Sequence, residues 1–519
     1  MSKTANLENS LGGNLHIPEA YQVTSIVLEN HMGMTYDLNT LKTDFSIAES
    51  IYHAGLILSI NIKDSINFFE IGQLTGQETI TVNLTQGAEP EPDAETASTN
   101  PADFASREKP KPKTISRMFF VTEYPLYGKM ENRIEVYTIK GVSRHMYLSK
   151  LKRISRAFTG TMAKFIKDTL TKDLGVKESD IVQSEESSPL VSFIVPNLNP
   201  MDAIQWVLRR CYDSHGSPWY CYETLDGKIH IESHTDMQYH TNMNAKAEES
   251  NIDEYTDGQF FEYEPGTAKD FKQRKSRILN LASNVGISKY LSSINGAYAS
   301  KSVYVNISSK KIETLDFNYG MEFPNMAKIG TNSPLSHAFF PEARGVVDKA
   351  SKTDVTTIPD KFNLRKNPFD KADITNTIRA FQSISSQINA GGLTLSQFSD
   401  ANINYIPLNG KSLGNNNNYH SSTQNKFINI ANSVNENMQF ISHDFTITGD
   451  LDFHSGKIVY LHLRSTFKPT GELDKREDTI DQKMFSGYYL ITSVIHKFEK
   501  QYYCDVRANT DAYSAEVFK

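Results

Sequence analysis

In the stretch Glu78-Thr79-Ile80-Thr81-Val82-Asn83-Leu84, polar and apolar side chains alternate from Thr79 to Leu84. Because successive side chains of a strand point to opposite faces of a sheet, this period of two is typical of a half-buried strand. The turn Thr75-Gly76 stands just before it, and a second run, Leu56 to Ile62, ends at Asp64-Ser65. The N-terminal part of the chain therefore predicts strands joined by short turns, within a mainly β fold.

The composition fits a folded protein of several compact units. The chain has 519 residues, with 39% hydrophobic and 22% charged residues and a net charge of −7. A net negative charge argues against a protein that coats nucleic acid without sequence preference. The three cysteines, Cys211, Cys221 and Cys504, are too few for a disulfide framework, so we expect folding in a reducing compartment.

Targeting signals are not recognisable in the sequence. The segment Met1 to Pro18 is polar and lacks the apolar core of a secretory signal. No run of about 18 apolar residues occurs, so we expect no membrane-spanning helix.

A change of period in the middle of the chain predicts a small α/β unit. Thr161 to Leu174 has helical spacing, with Thr161 as cap and Gly175 as terminator. After a strand at Leu190 to Val195, the pair Asn199-Pro200 predicts the start of a second helix. The turn Asp226-Gly227 then joins two strand-like runs in a hairpin.

Two further stretches stand apart from this pattern. The stretch Gln86 to Lys113 has alternating charges and prolines, so we expect a mobile loop there. We also expect Arg277 to Leu281 to form a helix, and much of Gly330 to Gln439 to be irregular. Strands return at Ile441 and continue to Arg507, so two β-rich blocks flank the α/β unit.

One group of residues has spacing that suits a metal. His230, Glu232 and His234 would share one face of a strand and could offer three ligands, with His240 close by in the sequence. The alternative is the wet face of a hairpin, and we favour it because no catalytic metal motif accompanies these residues.

Other patterns that resemble catalytic or binding motifs have simpler explanations. Gly410 to Gly414 matches a nucleophile elbow but is followed by an asparagine run where a helix is needed. Asp450 and Asp452 lack the later acidic ligand of a calcium loop, so we expect a turn there. The basic residues before the first helix are expected at a solvated or interface edge, and they are Lys150, Lys152, Arg153 and Arg156.

Three motifs in order resemble baseplate hub proteins of contractile-tailed bacteriophages and the related type VI spike proteins. The first is the acidic turn at Asp64 with the hairpin Thr75-Gly76-Gln77-Glu78, the second runs from Phe193 to the turn Asp226-Gly227, and the third runs from Phe485 to Phe498. The positions that carry the resemblance are Gly76, Glu78, Asn197, Pro200, Trp206, Asp226, Gly227, Gly487, Tyr489 and His496.

The resemblance implies a mainly β chain with two similar β-barrel domains, an inserted α/β domain and a long irregular region. The implied boundaries are an arm at 1–20, a first barrel at 21–158 with the mobile charged loop 86–113, an α/β domain at 159–245, the first part of a second barrel at 246–329, a decorating region at 330–439 and closing strands at 440–519.

The resemblance also implies a structural function. Three such chains would form a ring with pseudo-sixfold symmetry that joins a hexameric tail tube to a trimeric spike and contacts neighbouring baseplate proteins. DNA would pass through it only transiently, and we expect a neutral to acidic inner face. The implied location is the virion baseplate, assembled in the host cytoplasm, with no enzyme activity, cofactor or membrane contact.

Two alternatives stay open. A tail-associated cell-wall or polysaccharide hydrolase would need paired carboxylates, and Glu249, Asp253, Glu254 and Asp257 read only as an acidic linker. The hub part of a secretion-system or tailocin spike is the other.

His496 is expected to be a hydrogen-bonded core or edge histidine without a catalytic role.

Overall fold

The computed structural model describes residues 21–86, 113–125, 127–130, 134–184, 190–240, 260–263, 271–285, 289–306, 310–330, 402–408, 422–465, 480–482 and 485–513. Strands dominate these residues, which confirms the predicted mainly β class. The expected mobile loop 86–113 lies outside the described residues apart from Gln86 and Lys113, the ends of two paired strands.

The N-terminal half is antiparallel. Its strands are β1 (Tyr21–Glu29), β2 (Thr35–Asp37), β3 (Lys42–Ser50), β4 (His53–Asp64), β5 (Thr79–Gln86), β6 (Lys113–Glu123), β7 (Gly128–Met130) and β8 (Ile134–Ser143), with helix α1 (Phe68–Ile71) between β4 and β5. The stretch Glu78 to Leu84 lies in and just before β5, where Ile80, Val82 and Leu84 are buried as the alternation predicts.

The α/β unit follows directly. Its helices are α2 (Arg144–Lys150), α3 (Met162–Asp168), α4 (Pro200–Leu208) and α5 (His234–His240), and its strands are β9 (Ala157–Thr161), β10 (Ile181–Gln183), β11 (Leu190–Ile194), β12 (Trp219–Glu223) and β13 (Ile229–Ser233). The hydroxyl of Thr161 caps α3 by accepting the Lys164 N–H at 3.3 Å, and Gly175 has the left-handed backbone expected of a terminator. Between them the helix widens into a π-turn at Thr169–Asp173.

The remaining elements complete the β structure. The strands are β14 (Phe260–Tyr263), β15 (Ile278–Val285), β16 (Ala299–Asn306), β17 (Lys311–Asn318), β18 (Ile403–Leu408), β19 (Ile441–Thr448), β20 (Ile458–Ser465), β21 (Ile480–Asp481), β22 (Gly487–Phe498) and β23 (Tyr502–Thr510). The helices are α6 (Phe271–Ser276), α7 (Lys289–Ile294), α8 (Tyr319–Glu322) and α9 (Ser422–Asn437).

Two local predictions differ from the structure. The helix expected at Arg277 to Leu281 is wrong, because β15 pairs there with β19 and α6 ends one residue earlier. Residues 331–401 and 409–421 of the region 330–439 lie outside the described residues, and the described part contains β18 and the helix α9. Ile430, Ala431 and Val434 of α9 are buried at helical spacing, as is Met438 directly after the helix. The many asparagines of α9 have low helix propensity and conceal this apolar stripe, which tertiary packing stabilises.

One sheet runs through both halves of the chain. Its strand order is β15-β19-β23-β22-β3-β4-β8-β6-β5-β1-β2, with β14, β20, β21 and β7 branching from it. A single apolar core under this sheet includes Ile26 of β1 and Val506 of β23. Strands β16, β17 and β18 form a separate sheet, and the α/β unit has its own core.

Candidate functional site

The two halves of the chain meet where β3 pairs with β22. The pairing runs from Phe45 opposite Phe498 to Ser50 opposite Ser493, and the two phenylalanine rings stack at 4.6 Å. A register shift between Ile491 and Ser493 divides β22, so that its first part pairs with β20 and its last part with β3. We call this β3–β22 pairing the seam.

The hairpin β12–β13 of the α/β unit inserts its turn beside the seam. The Leu225 N–H donates to Oε2 of Glu49 on β3 at 2.8 Å, and the Leu225 carbonyl accepts from Nε of Arg117 on β6 at 2.6 Å. The Leu225 side chain belongs to the core of the main sheet. Gly227 has φ +83, and a Cβ there would lie 2.3 Å from the Arg117 guanidinium. The predicted turn Asp226-Gly227 is therefore confirmed.

Glu223 connects the same hairpin to the N-terminal half. Its carboxylate accepts the Leu56 N–H at 3.1 Å and the Ser143 hydroxyl hydrogen, and Oε2 lies 3.6 Å from Nε2 of His145. All three of these side chains, Glu223, Ser143 and His145, are buried. Since a buried carboxylate without partners would be costly, these contacts fix the hairpin against β4 and β8.

Glu49 is the most enclosed carboxylate at the seam. Its side chain is completely buried, and besides Leu225 it accepts the Ser455 N–H and lies 3.7 Å from Nδ1 of His454. Burial raises the pKa of Glu49, but the neighbouring imidazole of His454 and the backbone hydrogen bond from Ser455 outweigh it and hold the pKa below its usual value. The carboxylate therefore stays ionised and holds three elements together.

The loop between β19 and β20 is fixed by the N-terminal half. Gln86 donates to the Gly449 carbonyl at 2.7 Å and accepts the Leu451 N–H at 2.9 Å. Asp450 lies 2.9 Å from Nζ of Lys275 and 3.4 Å from Nζ of Lys113. Although burial raises the pKa of Asp450, these two lysines and a backbone hydrogen bond lower it to about 2. Asp450 and Asp452 therefore form ion pairs with lysines. They lie in a turn, as the sequence predicted.

The loop ends in a close contact with the inserted hairpin. Gly456 has φ +87, and a Cβ there would lie 2.0 Å from the Tyr222 hydroxyl oxygen. Only glycine suits both this backbone and this space.

The outward face of the main sheet near the seam is polar, and we call it the outer sheet face. One cross-strand row across four strands consists of Ser50, Ser493, Arg507 and Asp444, and a second consists of Asn509, Ser442 and Asn284. These residues line a cleft of about 270 Å³ with the ring of Tyr52 at its edge.

A third cross-strand row runs from Lys497 of β22 to Lys140 of β8. Each cation in these three rows has a carboxylate partner. Arg507 binds Asp444 through two hydrogen bonds of 2.7 and 3.0 Å, Lys497 contacts Asp505, and Lys140 lies 2.9 Å from Glu123. The cations of this part of the outer sheet face are therefore neutralised in pairs.

The candidate metal ligands do not come together. Nδ1 of His230 lies 2.8 Å from Glu232, and the His230 ring stacks on Tyr222. His234 lies apart at the start of α5, completely buried, with its pKa lowered to about 4 by burial. In the described part of the chain no group of three His, Cys, Asp or Glu residues is placed to hold a metal ion. His240 belongs to α5. The expected wet face of a hairpin is wrong, because Glu232 is buried and His234 is fully buried at the start of the helix.

His496 and the cysteines are enclosed in cores. Nδ1 of His496 lies 2.7 Å from the Tyr502 hydroxyl and 3.4 Å from Sγ of Cys504. Burial lowers the pKa of His496 to about 4 and raises the pKa of Cys504 to about 12, so the neutral pair cannot act as a thiolate nucleophile at neutral pH. Cys211 and Cys221 are buried thiols.

Several family-motif residues shape turns and core contacts. The buried Glu78 accepts the Gly76 N–H at 2.9 Å and the Tyr124 hydroxyl hydrogen at 2.5 Å, closing the turn before β5. Tyr489, buried in the part of β22 that pairs with β20, donates to the Phe485 carbonyl at 2.7 Å, and Gly487 begins that strand.

The motif positions in the α/β unit are structural as well. Asn197 has a left-handed backbone, and Pro200 is the first residue of α4, as the sequence predicted. Asn199 bonds the Asp202 side chain at 3.2 Å, without capping the helix backbone. Trp206 packs edge-on against Phe193 at 5.4 Å.

The remaining candidates are placed as follows. Lys152 and Arg156 both pair with Asp173, and Arg153 donates to the Asn197 carbonyl, so these basic residues join parts of the α/β unit. The elbow-like Gly410 to Gly414 and the acidic residues from Glu249 to Asp257 lie outside the described residues. In the described part no helix has the length and apolar character needed to span a membrane.

The sequence could not reveal the contacts that form the seam. Glu49 and Glu223 lie in ordinary strands, and each accepts a backbone N–H from a residue more than 100 positions away in the sequence. The signal available in the sequence was a polar residue at a strand position that faces the core. Glu49 is such a residue, because the alternate residues before it along β3 are buried.

Comparison with known proteins gives structural similarities only. No protein-family model matches the chain, and no curated protein sequence matches it. Several solved structures, in contrast, match the chain. A tail protein from Neisseria meningitidis MC58 is similar with a TM-score of 0.45 and 8% identity, over 95% of this chain and 98% of that one.

Two further structures are of the same kinds. The 43 kDa tail protein of prophage MuSo2 from Shewanella oneidensis has a TM-score of 0.40 and 10% identity, over 95% of this chain and all of that one. The E. coli c3393 protein, a component of the type VI secretion system, has a TM-score of 0.36 and 8% identity, over 95% of this chain and 76% of that one. These are the kinds of protein that the sequence motifs resemble. At TM-scores below 0.5, none of them assigns a function to this chain.

Proposed function

We propose that this chain is a structural hub of a contractile phage tail baseplate. Three copies form a ring with pseudo-sixfold symmetry that joins the hexameric tail tube to the trimeric central spike. The ring contacts neighbouring baseplate proteins, lets DNA pass, and is assembled in the host cytoplasm without any enzymatic step.

The seam is the observation that carries this proposal. An adaptor between sixfold and threefold partners needs two β-rich parts per chain in a fixed relation, because each must meet its own tube subunit. Here β3 and β22 place both parts in one sheet, and Glu49 and Glu223 lock the inserted hairpin against them. A packed core shared by both parts resists bending.

The outer sheet face supports the passage of DNA. Proteins bind DNA without sequence preference mainly through lysines and arginines that are free to displace counterions from phosphates. Because Arg507, Lys497 and Lys140 are each paired with a carboxylate, this face offers phosphates little. It is the surface we assign to the channel, in line with the neutral to acidic inner face expected from net charge.

Co-assembly tests the proposed function. The purified chain is mixed with the tail tube protein and the spike protein of the same phage, and complexes are isolated by gradient sedimentation and imaged. We expect a particle with a threefold spike on one side and a sixfold tube on the other. Failure to join the two partners, together with hydrolysis of host envelope material by the chain alone, would favour the hydrolase alternative.

A further inference from the structure

One face of the small sheet β17-β16-β18 carries exposed apolar side chains. In its cross-strand rows Val305 lies beside Ile312, and Val303 lies beside Tyr405. Ile312 is 70% exposed and Tyr405 is 72% exposed. Ile403 continues this apolar surface along β18. We call these residues the apolar sheet face.

The opposite face of the same sheet is covered by α9. The Ser302 hydroxyl donates to Asn429 of α9 at 2.8 Å, and Tyr304, between the two outward valines, is completely buried. On the exposed side the rows of Val305 and Val303 are apolar apart from Thr314, and the next row pairs Lys301 with Asp316. Exposed apolar patches of this kind mark interaction sites.

A second apolar surface lies at the far edge of the main sheet. Met32 is 60% exposed in the turn between β1 and β2, and Ile71 is 59% exposed at the end of α1. Met34 and Ile66 are also exposed. Asn30 joins the two segments, because its side chain donates to the Gly72 carbonyl at 3.0 Å and accepts the N–H groups of Met32 and Met34. We call Met32, Met34, Ile66 and Ile71 the apolar loop pair.

The charges beside the two surfaces are opposite. Lys310 is exposed at the turn that leads into Ile312, and Glu70 is exposed directly before Ile71. Contact between the surfaces would bring a lysine towards a glutamate at its rim, where opposite charges favour correct docking.

We propose that the apolar sheet face of one copy binds the apolar loop pair of the next copy around the ring. This inference rests on the proposed trimer. A twofold dimer uses one surface twice, whereas a closed ring of three needs two different surfaces that complement each other. The chain presents two such surfaces on different sheets, with opposite charges at their rims.

Cross-linking between differently tagged copies tests this pairing. One preparation is full-length chain with Ile312→Cys and an affinity tag, and the other is untagged chain with Ile71→Cys. They are mixed, assembled with the spike protein present, and treated with a short bismaleimide. The native cysteines Cys211, Cys221 and Cys504 are buried, so they give little background. We expect a tagged–untagged product in high yield, and at least tenfold less product when both preparations carry Ile312→Cys.

Polar substitutions give a second readout. Ile312→Asp should raise the apparent dissociation constant of the trimer at least tenfold, and Leu151→Asp, at an equally exposed leucine of the α/β unit, should not. The pairing is overturned if Ile312→Asp forms the trimer normally and the two cysteine variants give no mixed cross-link. That outcome leaves the hub proposal standing. A chain that stays monomeric even with the spike protein overturns both.

Discussion

Glu49 of β3 accepts a hydrogen bond of 2.8 Å from the backbone N–H of Leu225, a residue of the inserted hairpin 176 positions further along the chain. The same carboxylate accepts the Ser455 N–H from the loop after β19. One buried side chain therefore joins the N-terminal half, the α/β unit and the C-terminal strands. If the hub must be rigid, this is the point at which rigidity can be removed.

Replacing Glu49 with Gln should destabilise the chain by about 1–3 kcal/mol, because an amide cannot accept with both terminal atoms and leaves a buried N–H without a partner. Since the pKa of Glu49 is lowered in the folded state, its contribution is present above the unfolded pKa and is lost as pH falls through the folded pKa. Chemical unfolding at pH 7 should thus separate Glu49→Gln from wild type, and the gap should narrow towards pH 3. Glu123→Gln, at a solvent-exposed pair, is the control. An equal effect of both substitutions would contradict the assigned role of Glu49.

Gly456 and Gly76 form a matched pair for testing the contact with the hairpin. Both have φ +87, but a Cβ at Gly456 would meet Tyr222, whereas nothing lies within 4 Å of one at Gly76. Gly76→Ala should therefore cost about 1–2 kcal/mol from backbone strain alone. Gly456→Ala should cost a further 1–3 kcal/mol or so because the hairpin must shift. Melting temperatures of the two variants, measured side by side, test this. Equal decreases in melting temperature would show that the Tyr222 side chain moves aside without cost.

Asp511 should make stability depend on pH in the opposite sense to Glu49. It is buried after β23 and accepts the N–H groups of Ile329 and Gly330 at 3.0 Å. Burial raises its pKa to about 6, against the lowering effect of those hydrogen bonds and of Lys328. The stabilising effect of its protonation is complete below the unfolded pKa near 4 and is lost as pH rises through about 6.

Asp511→Asn removes that titration. As pH rises from about 4 to about 6, the melting temperature of the variant should therefore rise relative to that of wild type, by an amount equivalent to at most about 3 kcal/mol. A wild-type chain and a variant whose melting temperatures run in parallel over this range would show that Asp511 titrates as an ordinary carboxyl group.

The paired cations of the outer sheet face predict weak DNA binding. Wild-type chain should pass through immobilised duplex DNA at physiological salt. The double variant Asp444→Asn with Asp505→Asn leaves Arg507 and Lys497 unpaired, so it should be retained at low salt and released as salt rises, with a slope of about 0.9 per phosphate contacted. Glu135→Gln, which frees Lys129 on β7, serves as control. Strong retention of wild type would contradict the channel assignment.

Local structure followed from the sequence where short-range chemistry decides it. The alternation before Leu84, the Thr161 cap, Pro200 at a helix start and the turn Asp226-Gly227 each depend on residues within a few positions. These features needed no knowledge of the rest of the chain.

Long-range pairing was not predictable in the same way. The seam joins Phe45 to Phe498, and the same alternation would suit any partner strand. The segment from Arg277 was expected to be helical because its local pattern is ambiguous, and pairing with β19 decides it as a strand. Likewise, the ion pairs that neutralise the outer sheet face depend on cross-strand register, which spacing alone does not give.

The molar mass of the purified chain in solution, measured by light scattering with and without the spike protein, tests the hub proposal most directly. One copy has a mass of 58.5 kDa, and we predict three times that value, 175.5 kDa, for the chain alone, or 175.5 kDa plus the mass of the bound spike if the spike protein templates the ring. A mass that stays at 58.5 kDa under both conditions would contradict the trimeric hub.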